Sequence, residues 1–159
     1  MLAEWARSSR GGGVIGTSGN GTRPTLDTDA GFLLARAGGK AIRAVNRALE
    51  PFGLRTRHFT VLMAAAEHGG LSQRELGDLL GIDPSAVVAL VDDLQRAGLV
   101  RRDPHPEDRR TRLVVLTGVG EKTFDQATEV ALKVEDEAFA PLDAGERATL
   151  IELLRRIAR

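Results

Sequence analysis

The 159-residue chain contains no cysteine and no tyrosine, only one tryptophan, and no excess of charge of either sign. Without cysteine it has no disulfide framework, no thiolate metal ligand and no thiol that could sense oxidants. Lysine plus arginine and aspartate plus glutamate both number 22. A case for nucleic-acid binding therefore has to rest on local charge, because the net charge supplies none.

Long apolar runs are also missing, since no stretch approaches the roughly eighteen residues that a membrane-spanning helix needs. The first ten residues, MLAEWARSSR, lack the apolar core of a secretory signal peptide. We therefore expect a cytoplasmic protein. A hydrophobic content of 42% in 159 residues suits a single folded domain.

Residues 1–25 are rich in glycine, serine and threonine and poor in apolar side chains, so we predict a flexible tail. The tail contains Gly11, Gly13 and Gly16 in the G-x-G-x-x-G spacing of dinucleotide-binding loops. Neither a preceding strand nor a following helix is predicted, however, so nothing would hold a pyrophosphate there. We interpret the glycines as a linker and expect no cofactor.

Helical periodicity begins after this tail. The first predicted helix runs from about Asp27–Asp29 to Glu50 and ends at the following Pro51. A second helix is predicted over Thr56–His68, with a buried face made of Phe59, Leu62, Met63 and Ala66.

The segment LSQRELGDLLG, residues 71–81, predicts a short helix with a clear start signal. Ser72 and Glu75 have the S-x-x-E spacing of a capping box, and Gly81 stands where helices commonly end. The apolar side chains expected to face the core are Leu76, Leu79 and Leu80.

The next short helix follows almost at once. Asp83 can cap it, and Pro84 occupies its first turn, where a missing N–H does no harm. Gly98 ends the helix, and its predicted buried stripe is Val87, Leu90, Val91 and Leu94. Two short helices joined by a tight, glycine-bearing turn predict a helix-turn-helix unit.

A cationic hairpin is predicted directly after this unit. The strands LVRR and TRLVVLT flank the loop DPHPEDRR, whose two prolines keep it out of a regular strand ladder. Between Arg96 and Arg112 there are six arginines and three acidic residues, a local excess of three positive charges. A winged helix-turn-helix has this layout, with a helix in the major groove and a wing on phosphates or the adjacent minor groove.

A simpler interpretation of the hairpin stays open. Arg101 and Arg102 could pair with Asp103 and Glu107 as a solvated hairpin that contributes little to stability. We favour DNA contact because the helix pair, the hairpin and the local charge coincide.

Two further helices complete the chain. Thr117 caps a long helix to about Phe139, and Asp143 and Glu146, in D-x-x-E spacing, begin the last one. The apolar faces of the first and the last two helices exceed the need of one small core, so we predict a homodimer. Its contacts should include Leu150, Leu153, Leu154 and Ile157.

The predicted fold is mainly α, or α+β by strict count. It is a winged helix-turn-helix with a two-stranded wing, flanked by N- and C-terminal dimerisation helices. Its parts are a tail over 1–25, a dimerisation helix over 26–55, a DNA-binding lobe over 56–117 and dimerisation helices over 118–159.

The sequence resembles the MarR (multiple antibiotic resistance regulator) family of bacterial transcription factors. The resemblance lies in LSQRELGDLLGIDPSAVVALVDDLQRAGLVRR and in the wing DPHPEDRRTRLVVLT, and extends over about residues 30–158. It implies a homodimer that binds pseudo-palindromic operators on double-stranded DNA, usually as a repressor. It also implies frequent release by a small phenolic or other amphipathic effector.

Asp108 and Arg110 match the family's wing D-x-R, in which the acid braces the loop and the arginine enters the minor groove. The second helix of the helix-turn-helix matches the family's recognition helix, in which four positions face base edges. Here Ser85, Ala86, Val88 and Ala89 occupy these positions, and the last three are apolar and cannot donate hydrogen bonds. We therefore expect the wing and DNA shape to supply much of the specificity. The full expected set of DNA contacts is Ser72, Gln73, Arg74, Ser85, Ala86, Val88, Ala89, Arg96, Asp108, Arg109, Arg110 and Arg112.

The resemblance also implies an effector site between the start of the second helix and the first helix, for which Arg55, His58 and Phe59 are candidates. The alternative is that His58 is an ordinary, partly exposed helix residue. Regulation by a small ligand is expected in place of thiol oxidation, with Met63 buried.

Other activities find little support in the sequence. The three histidines are scattered, so no metal site is predicted. No nucleophile has an identifiable base beside it, so we do not predict an enzyme. The competing hypothesis is a winged-helix module that contacts proteins and not DNA; a neutral recognition helix would suit it, and the arginine-rich wing argues against it.

Overall fold

The structure is a computed structural model that describes residues 23, 25–108 and 110–158. The predicted tail with its glycine motif therefore lies almost wholly outside the described residues, as does Arg109. Within the described part there are six α-helices and three short strands. The helices are α1 Ala30–Leu49, α2 Thr56–Glu67, α3 Gln73–Leu80, α4 Pro84–Arg96, α5 Gly118–Ala138 and α6 Ala144–Ile157, and the strands are β1 Leu71–Ser72, β2 Val100–Pro104 and β3 Arg112–Leu116.

The chain divides into two compact units, one up to Leu34 and one from Ala35 onward. The described part of the first unit is a turn followed by the beginning of α1. Asp29 accepts the backbone N–H of Phe32 at 2.6 Å, which caps α1 as the sequence predicts.

The strands of the second unit form one antiparallel sheet in the order β1-β3-β2. Strands β2 and β3 are the two strands of the predicted wing, with Val100 opposite Leu116. Strand β1 adds an unpredicted third strand, in which Leu71 pairs with Val114. The mainly α winged helix-turn-helix fold is thus confirmed, with one strand more than the sequence indicates.

Local caps fix the helix-turn-helix. The Ser72 hydroxyl accepts the backbone N–H of Glu75 at 3.2 Å, and the Glu75 carboxylate accepts that of Ser72 at 2.8 Å. Gly81 ends α3 with a φ of 60°, and Asp83 begins α4 by accepting the N–H of Ser85 at 2.8 Å. Hydrogen bonds from Ser72 lower the pKa of Glu75, and those from Ser85 lower the pKa of Asp83. Both caps therefore hold charged carboxylates near helix N-termini, where negative charge is favourable.

The hydrophobic core lies where α2, α3, α4, the sheet and α5 meet. Phe59 of α2 packs against Phe124 of α5 with ring centroids 5.4 Å apart. The largest fully buried side chains are Leu49, Leu62, Leu76, Leu94, Val61, Val87, Val91, Val100 and Val114. This core holds the inner side of α4 and leaves its other side exposed.

Three predicted core residues are exposed, and two more, Leu80 and Leu90, are only half-buried. Met63 is 43% exposed and Ala66 is exposed, whereas their neighbours Val61 and Ala65 are buried. The run VLMAAA is apolar all the way around α2, so helical periodicity could not identify the inner face. Leu79 is 54% exposed because the buried side of α3 passes through Leu76 and Gly77.

The start of α5 lies unusually close to the preceding strand. A Cβ placed on Gly120 would lie 1.9 Å from the carbonyl oxygen of Leu99, whereas a Cβ on Gly118 would meet nothing within 4 Å. Thr117 reinforces this approach, since its N–H donates to the Leu99 carbonyl at 3.0 Å. Glycine is therefore required at position 120 and is replaceable at position 118.

Replacing Gly120 by alanine is expected to lower the free energy of unfolding by at least about 1–3 kcal/mol, because the methyl group forces the backbone of α5 away from Leu99. Gly118→Ala in the same helical turn is the matched control. It should be neutral or slightly stabilising because alanine is the better helix former. Urea denaturation followed by circular dichroism compares the two; equal stabilities would contradict the described close approach.

Helix α6 buries none of its side chains, although several are apolar. Leu153 and Ile157 are 49% and 71% exposed, and Leu150 and Leu154 are half-buried. The helix is tied to α5 mainly through Arg147, which pairs with Asp136 at 2.7 Å. In the part of the chain that the structure describes, no helix is both long and apolar enough to cross a membrane.

Candidate nucleic-acid interface

The outer side of the helix-turn-helix presents a shallow groove between α3 and α4. Its walls are formed by Gln73, Arg74, Gly77, Asp78, Ile82, Pro84 and Val88. Along α4, Ser85 and Ala89 are exposed, Val88 is 43% exposed and Ala86 is half-buried. The sequence-predicted positions on α4 therefore lie together at the surface, and they form a low, mostly apolar ridge.

Several polar side chains expected to contact DNA already have partners inside the protein. The Ser85 hydroxyl donates to Asp83, and the Ser72 hydroxyl donates to Glu75 at 2.7 Å. The Gln73 side-chain oxygen accepts from Arg102 at 3.1 Å. Arg74 differs, because its side chain is 91% exposed and lies 3.9 Å from Asp78. The helix pair thus offers few directed donors beyond Arg74.

The wing tip is a closed turn organised by one carboxylate. Asp108 accepts the backbone N–H of Arg110 at 3.0 Å and the hydroxyl of Thr111 at 2.8 Å. These two bonds, the one from Arg110 first, lower the pKa of Asp108 below its ordinary value. The backbone N–H of His105 donates to the Thr111 carbonyl at 3.0 Å and closes the loop. Asp108 is thus placed to brace the turn that carries Arg110.

The described arginines between positions 96 and 112 fall into two groups. Three have acidic partners within the protein: Arg96 with Asp93 at 2.9 Å, Arg101 with Asp103 at 2.9 Å and Arg102 with Asp92 at 2.6 Å. Arg110 and Arg112 are exposed and have no acidic partner among the residues the structure describes. Among the described arginines of this segment, the charge without an acidic partner therefore lies on the wing.

The alternative of a solvated hairpin, in which both Arg101 and Arg102 pair with acidic residues of the hairpin, holds for only one of these two arginines. Arg101 pairs with Asp103 at the surface as that alternative predicts. Arg102 instead turns inward and binds Gln73, Gln95 and Asp92. Sequence reasoning missed this contact because the partners come from two separate helices.

The three effector candidates lie in different surroundings. Arg55 lines a polar cavity together with Asn46, Arg47, Glu50, Gly53 and Leu54. His58 accepts the backbone N–H of Arg55 on Nδ1 at 3.3 Å, and its Nε2 lies 3.6 Å from Asp93 of α4. Phe59 belongs to the core. Of the three candidates, Arg55 lines this polar cavity and His58 joins α2 to α4.

An apolar pocket of about 210 Å³ lies beside this region, between α1, α5 and the start of α2. Its lining residues are Ala41, Ile42, Val45, Thr56, Val134, Glu135, Ala138 and Phe139. The sequence pattern did not reveal the pocket, because its walls come from segments about ninety residues apart.

The chain is similar in sequence to known proteins. A sequence model of the MarR family matches residues 52–111. The chain is 31% identical over 132 residues to a putative transcriptional regulatory protein for the hcr operon of Thauera aromatica, covering 82% of this chain and 80% of that protein. The chain belongs to the MarR family. The resemblance seen in the helix-turn-helix and wing is thereby confirmed, and MarR-family proteins are transcriptional regulators.

Solved MarR-family structures share the whole fold. CouR from Rhodococcus jostii, bound to p-coumaroyl-CoA, superposes with a TM-score of 0.80 at 38% identity, covering 86% of this chain and 96% of that one. A MarR mutant from E. coli, complexed with operator DNA, superposes with a TM-score of 0.74 at 30% identity, covering 81% and 93%. One relative is thus seen with DNA and another with a thioester ligand.

Proposed function

We propose that this MarR-family regulator is a repressor that binds a pseudo-palindromic operator as a homodimer. The main supporting observation is the wing. Arg110 lies in the turn that Asp108 braces, Arg112 begins β3, and both are exposed with no acidic partner among the residues that the structure describes. The wing stands beside the exposed ridge of α4, so one lobe can address a major groove and the adjacent minor groove together. The complex of the E. coli relative with operator DNA supports DNA as the partner.

Each group of side chains would then have a distinct part. Arg110 enters the minor groove, where the planar, weakly hydrated guanidinium suits a narrow groove. Arg112, Arg74 and Arg96 neutralise phosphates, as does Arg109. Ala86, Val88 and Ala89 contact thymine methyl groups in the major groove. Ser72, Gln73 and Ser85 hold the two helices and have limited capacity left for DNA.

The proposed organisation places dimerisation at residues 26–55 and 118–159 and DNA binding at residues 56–117. The exposed Leu153 and Ile157 would be covered by a second copy, together with the half-buried Leu150 and Leu154. The protein would act on the nucleoid in the cytoplasm, as a regulator and not as an enzyme.

In vitro selection from a pool of random-sequence duplexes tests the DNA-binding proposal. The expected product, here called the selected duplex, is a pseudo-palindrome with half-sites about one helical turn apart, bound by two chains. Binding should weaken steeply as salt rises, because the wing releases counterions from the phosphates. A pool that yields no enriched sequence, with no salt-dependent mobility shift, would favour the protein-contact module instead.

We further propose that the effector is an amphipathic anion such as an aromatic acyl-CoA thioester. The apolar pocket suits an aromatic acyl group, and the polar cavity beside it carries Arg47 and Arg55. The two cavities adjoin, since Asn46 of one accepts the N–H and the hydroxyl of Thr56 of the other at 2.7 and 2.9 Å. The CouR complex with p-coumaroyl-CoA supports this ligand class.

Contacts in the same region connect the apolar pocket with the DNA-binding helix α4. Thr56 lines the pocket, and His58, half a turn further along α2, faces Asp93 of α4. A ligand that shifts the start of α2 would therefore change the position of α4. Such a ligand lowers DNA affinity only if it binds the DNA-free arrangement more tightly.

p-Coumaroyl-CoA is expected to stabilise the wild-type protein, by about 2.7 kcal/mol at a hundred times its Kd, and to release the selected duplex. Coenzyme A alone should do neither, because it leaves the apolar pocket empty. Ala41→Leu should abolish the response by filling the pocket, and Ala66→Leu adds the same bulk at an exposed site of α2 as a control. Thermal shift and mobility-shift assays measure both effects; an unchanged response in Ala41→Leu would exclude this pocket.

A further inference from the structure

Arg102 is the one described arginine of the wing hairpin that points into the protein. Its side chain is 24% exposed, whereas that of the adjacent Arg101 is 56% exposed. Arg102 lies on β2 opposite Val114 of β3. Its charge is therefore poorly placed for DNA, and its function has to be sought in its contacts.

All three guanidinium nitrogens of Arg102 donate to side chains of the helix-turn-helix. Nε donates to Gln73 at 3.1 Å, Nη2 donates to Asp92 at 2.6 Å and Nη1 donates to Gln95. Gln73 is the first residue of α3, and Asp92 and Gln95 lie in the C-terminal part of α4. One planar group thus joins the wing strand to both helices, with a geometry that the single ammonium of lysine cannot reproduce.

Apart from the contact of His58 with Asp93 at 3.6 Å, the side chains that attach α4 to the other elements are mainly apolar. Val87, Val91 and Leu94 anchor α4 through apolar packing, which is strong but non-directional. Directed hydrogen bonds to a charged group fix rotation and translation more tightly than packing alone. Arg102 therefore supplies the orientation of α4 relative to the wing, and the core supplies its attachment.

The composition of α4 makes that orientation matter. Ser85, Ala86, Val88 and Ala89 are short side chains, so they reach a base edge only if the helix axis approaches closely. Dispersion contacts with a thymine methyl lose a quarter to a half of their energy over a gap of about 0.5–1 Å. Phosphate contacts from long, flexible arginines tolerate such a displacement. Sequence-specific binding should thus depend on helix position far more than non-specific binding does.

We propose that Arg102 is a positioning residue that sets the specificity of operator binding without touching DNA. It holds α4 and the wing at the spacing at which both enter adjacent grooves of one half-site. This inference rests on the proposed function, since it presupposes that α4 and the wing bind a common duplex.

The test compares Arg102→Gln with Arg101→Gln on the selected duplex and on a random-sequence duplex of equal length, over a salt series. Arg102→Gln should weaken binding to the selected duplex roughly ten- to a hundredfold, because it removes a charged hydrogen-bond network. Its affinity for the random duplex should change by at most about threefold, and its salt slope should stay that of wild type. Arg101→Gln removes the exposed pair with Asp103 and one hydrogen bond to the Leu116 carbonyl, and should change either affinity by less than about fivefold.

Further variants separate a positioning role of Arg102 from a role in folding. Arg102→Lys keeps the charge and should still lose specificity, because lysine cannot reach the three acceptors together. A double-mutant cycle of Arg102→Gln with Asp92→Asn should be non-additive, since the two changes remove one shared interaction. If Arg102→Gln fails to fold by circular dichroism, Gln73→Leu and Gln95→Leu remove the neutral acceptors, keep the ion pair and should show the same selective loss.

Specific outcomes would overturn the proposal. If Arg102→Gln weakens both duplexes equally and flattens the salt slope, Arg102 contacts a phosphate directly. If both affinities stay at the wild-type level, α4 holds its position without Arg102. A wild-type protein that cannot distinguish the two duplexes would instead overturn the proposed function, which is a separate result.

Discussion

Arg110→Ala is expected to weaken binding to the selected duplex by about 1–3 kcal/mol for each minor-groove interaction that it removes, and a dimer carries two wings. The reason is geometric, because Arg110 stands at the tip of the turn that Asp108 braces. The variant should also tolerate G·C pairs where the wing enters the minor groove, since no guanidinium remains to favour the narrow A·T groove. Competition binding with duplexes altered at those positions measures both effects.

Arg101→Ala is the matched control for that experiment, since Arg101 lies in the same hairpin and pairs with Asp103 at the surface. It should leave the base preference unchanged. If Arg110→Ala keeps both the affinity and the A·T preference of wild type, the wing does not enter the minor groove.

Removing residues 143–159 is expected to convert the dimer into monomers or aggregates. The deleted helix α6 carries Leu153 and Ile157, which are 49% and 71% exposed in the isolated chain. Exposed apolar side chains on one helix favour an interface that covers them, because burial of apolar surface stabilises a dimer by about 25 cal/mol for each Å². Sedimentation velocity measures the dissociation, with circular dichroism to show that α1–α5 stay folded.

Point variants show whether the deletion dissociates the dimer by removing the interface or by disrupting the fold. Leu153→Lys places a charge on the apolar side of α6 and should dissociate the dimer. Glu152→Lys changes the charge of the neighbouring exposed residue and should not. A truncated protein or a Leu153→Lys variant that sediments as an intact dimer would contradict the assignment of α6 to the interface.

The features of the fold that the sequence predicts best are helix caps, which join residues that are close together along the chain. The Ser72–Glu75 box, the Asp83 cap and the Thr117 cap are all present as predicted, because each joins groups two or three residues apart. The same holds for Asp143 and Glu146 at α6. Such signals depend only on the spacing of residues along the chain, so they can be recognised without knowledge of the tertiary structure.

What the sequence missed depends on residues that are distant along the chain. Strand β1 is two residues long and exists because Leu71 meets Val114. Met63 and Leu79 are exposed because neighbouring elements cover other faces of α2 and α3. The candidate site shows the same division: the arginine-rich wing is evident in the sequence, whereas the inward turn of Arg102 and the apolar pocket require the folded chain.

The central claim is that the wing carries more of the DNA binding than the recognition helix, and fluorescence anisotropy over a salt series tests it most directly. Wild type, Arg110→Ala and Ser85→Ala are titrated against the selected duplex. Ser85→Ala should cost less affinity than Arg110→Ala, because the Ser85 hydroxyl is already bonded to Asp83. A guanidinium within the minor groove also displaces counterions from the flanking phosphates. Arg110→Ala should therefore flatten the plot of log K against log salt by about 0.9 for each phosphate charge that Arg110 offsets, or about one unit per half-site. If Arg110→Ala binds as tightly as wild type with the same salt slope, the wing does not contact DNA and the mechanism is wrong.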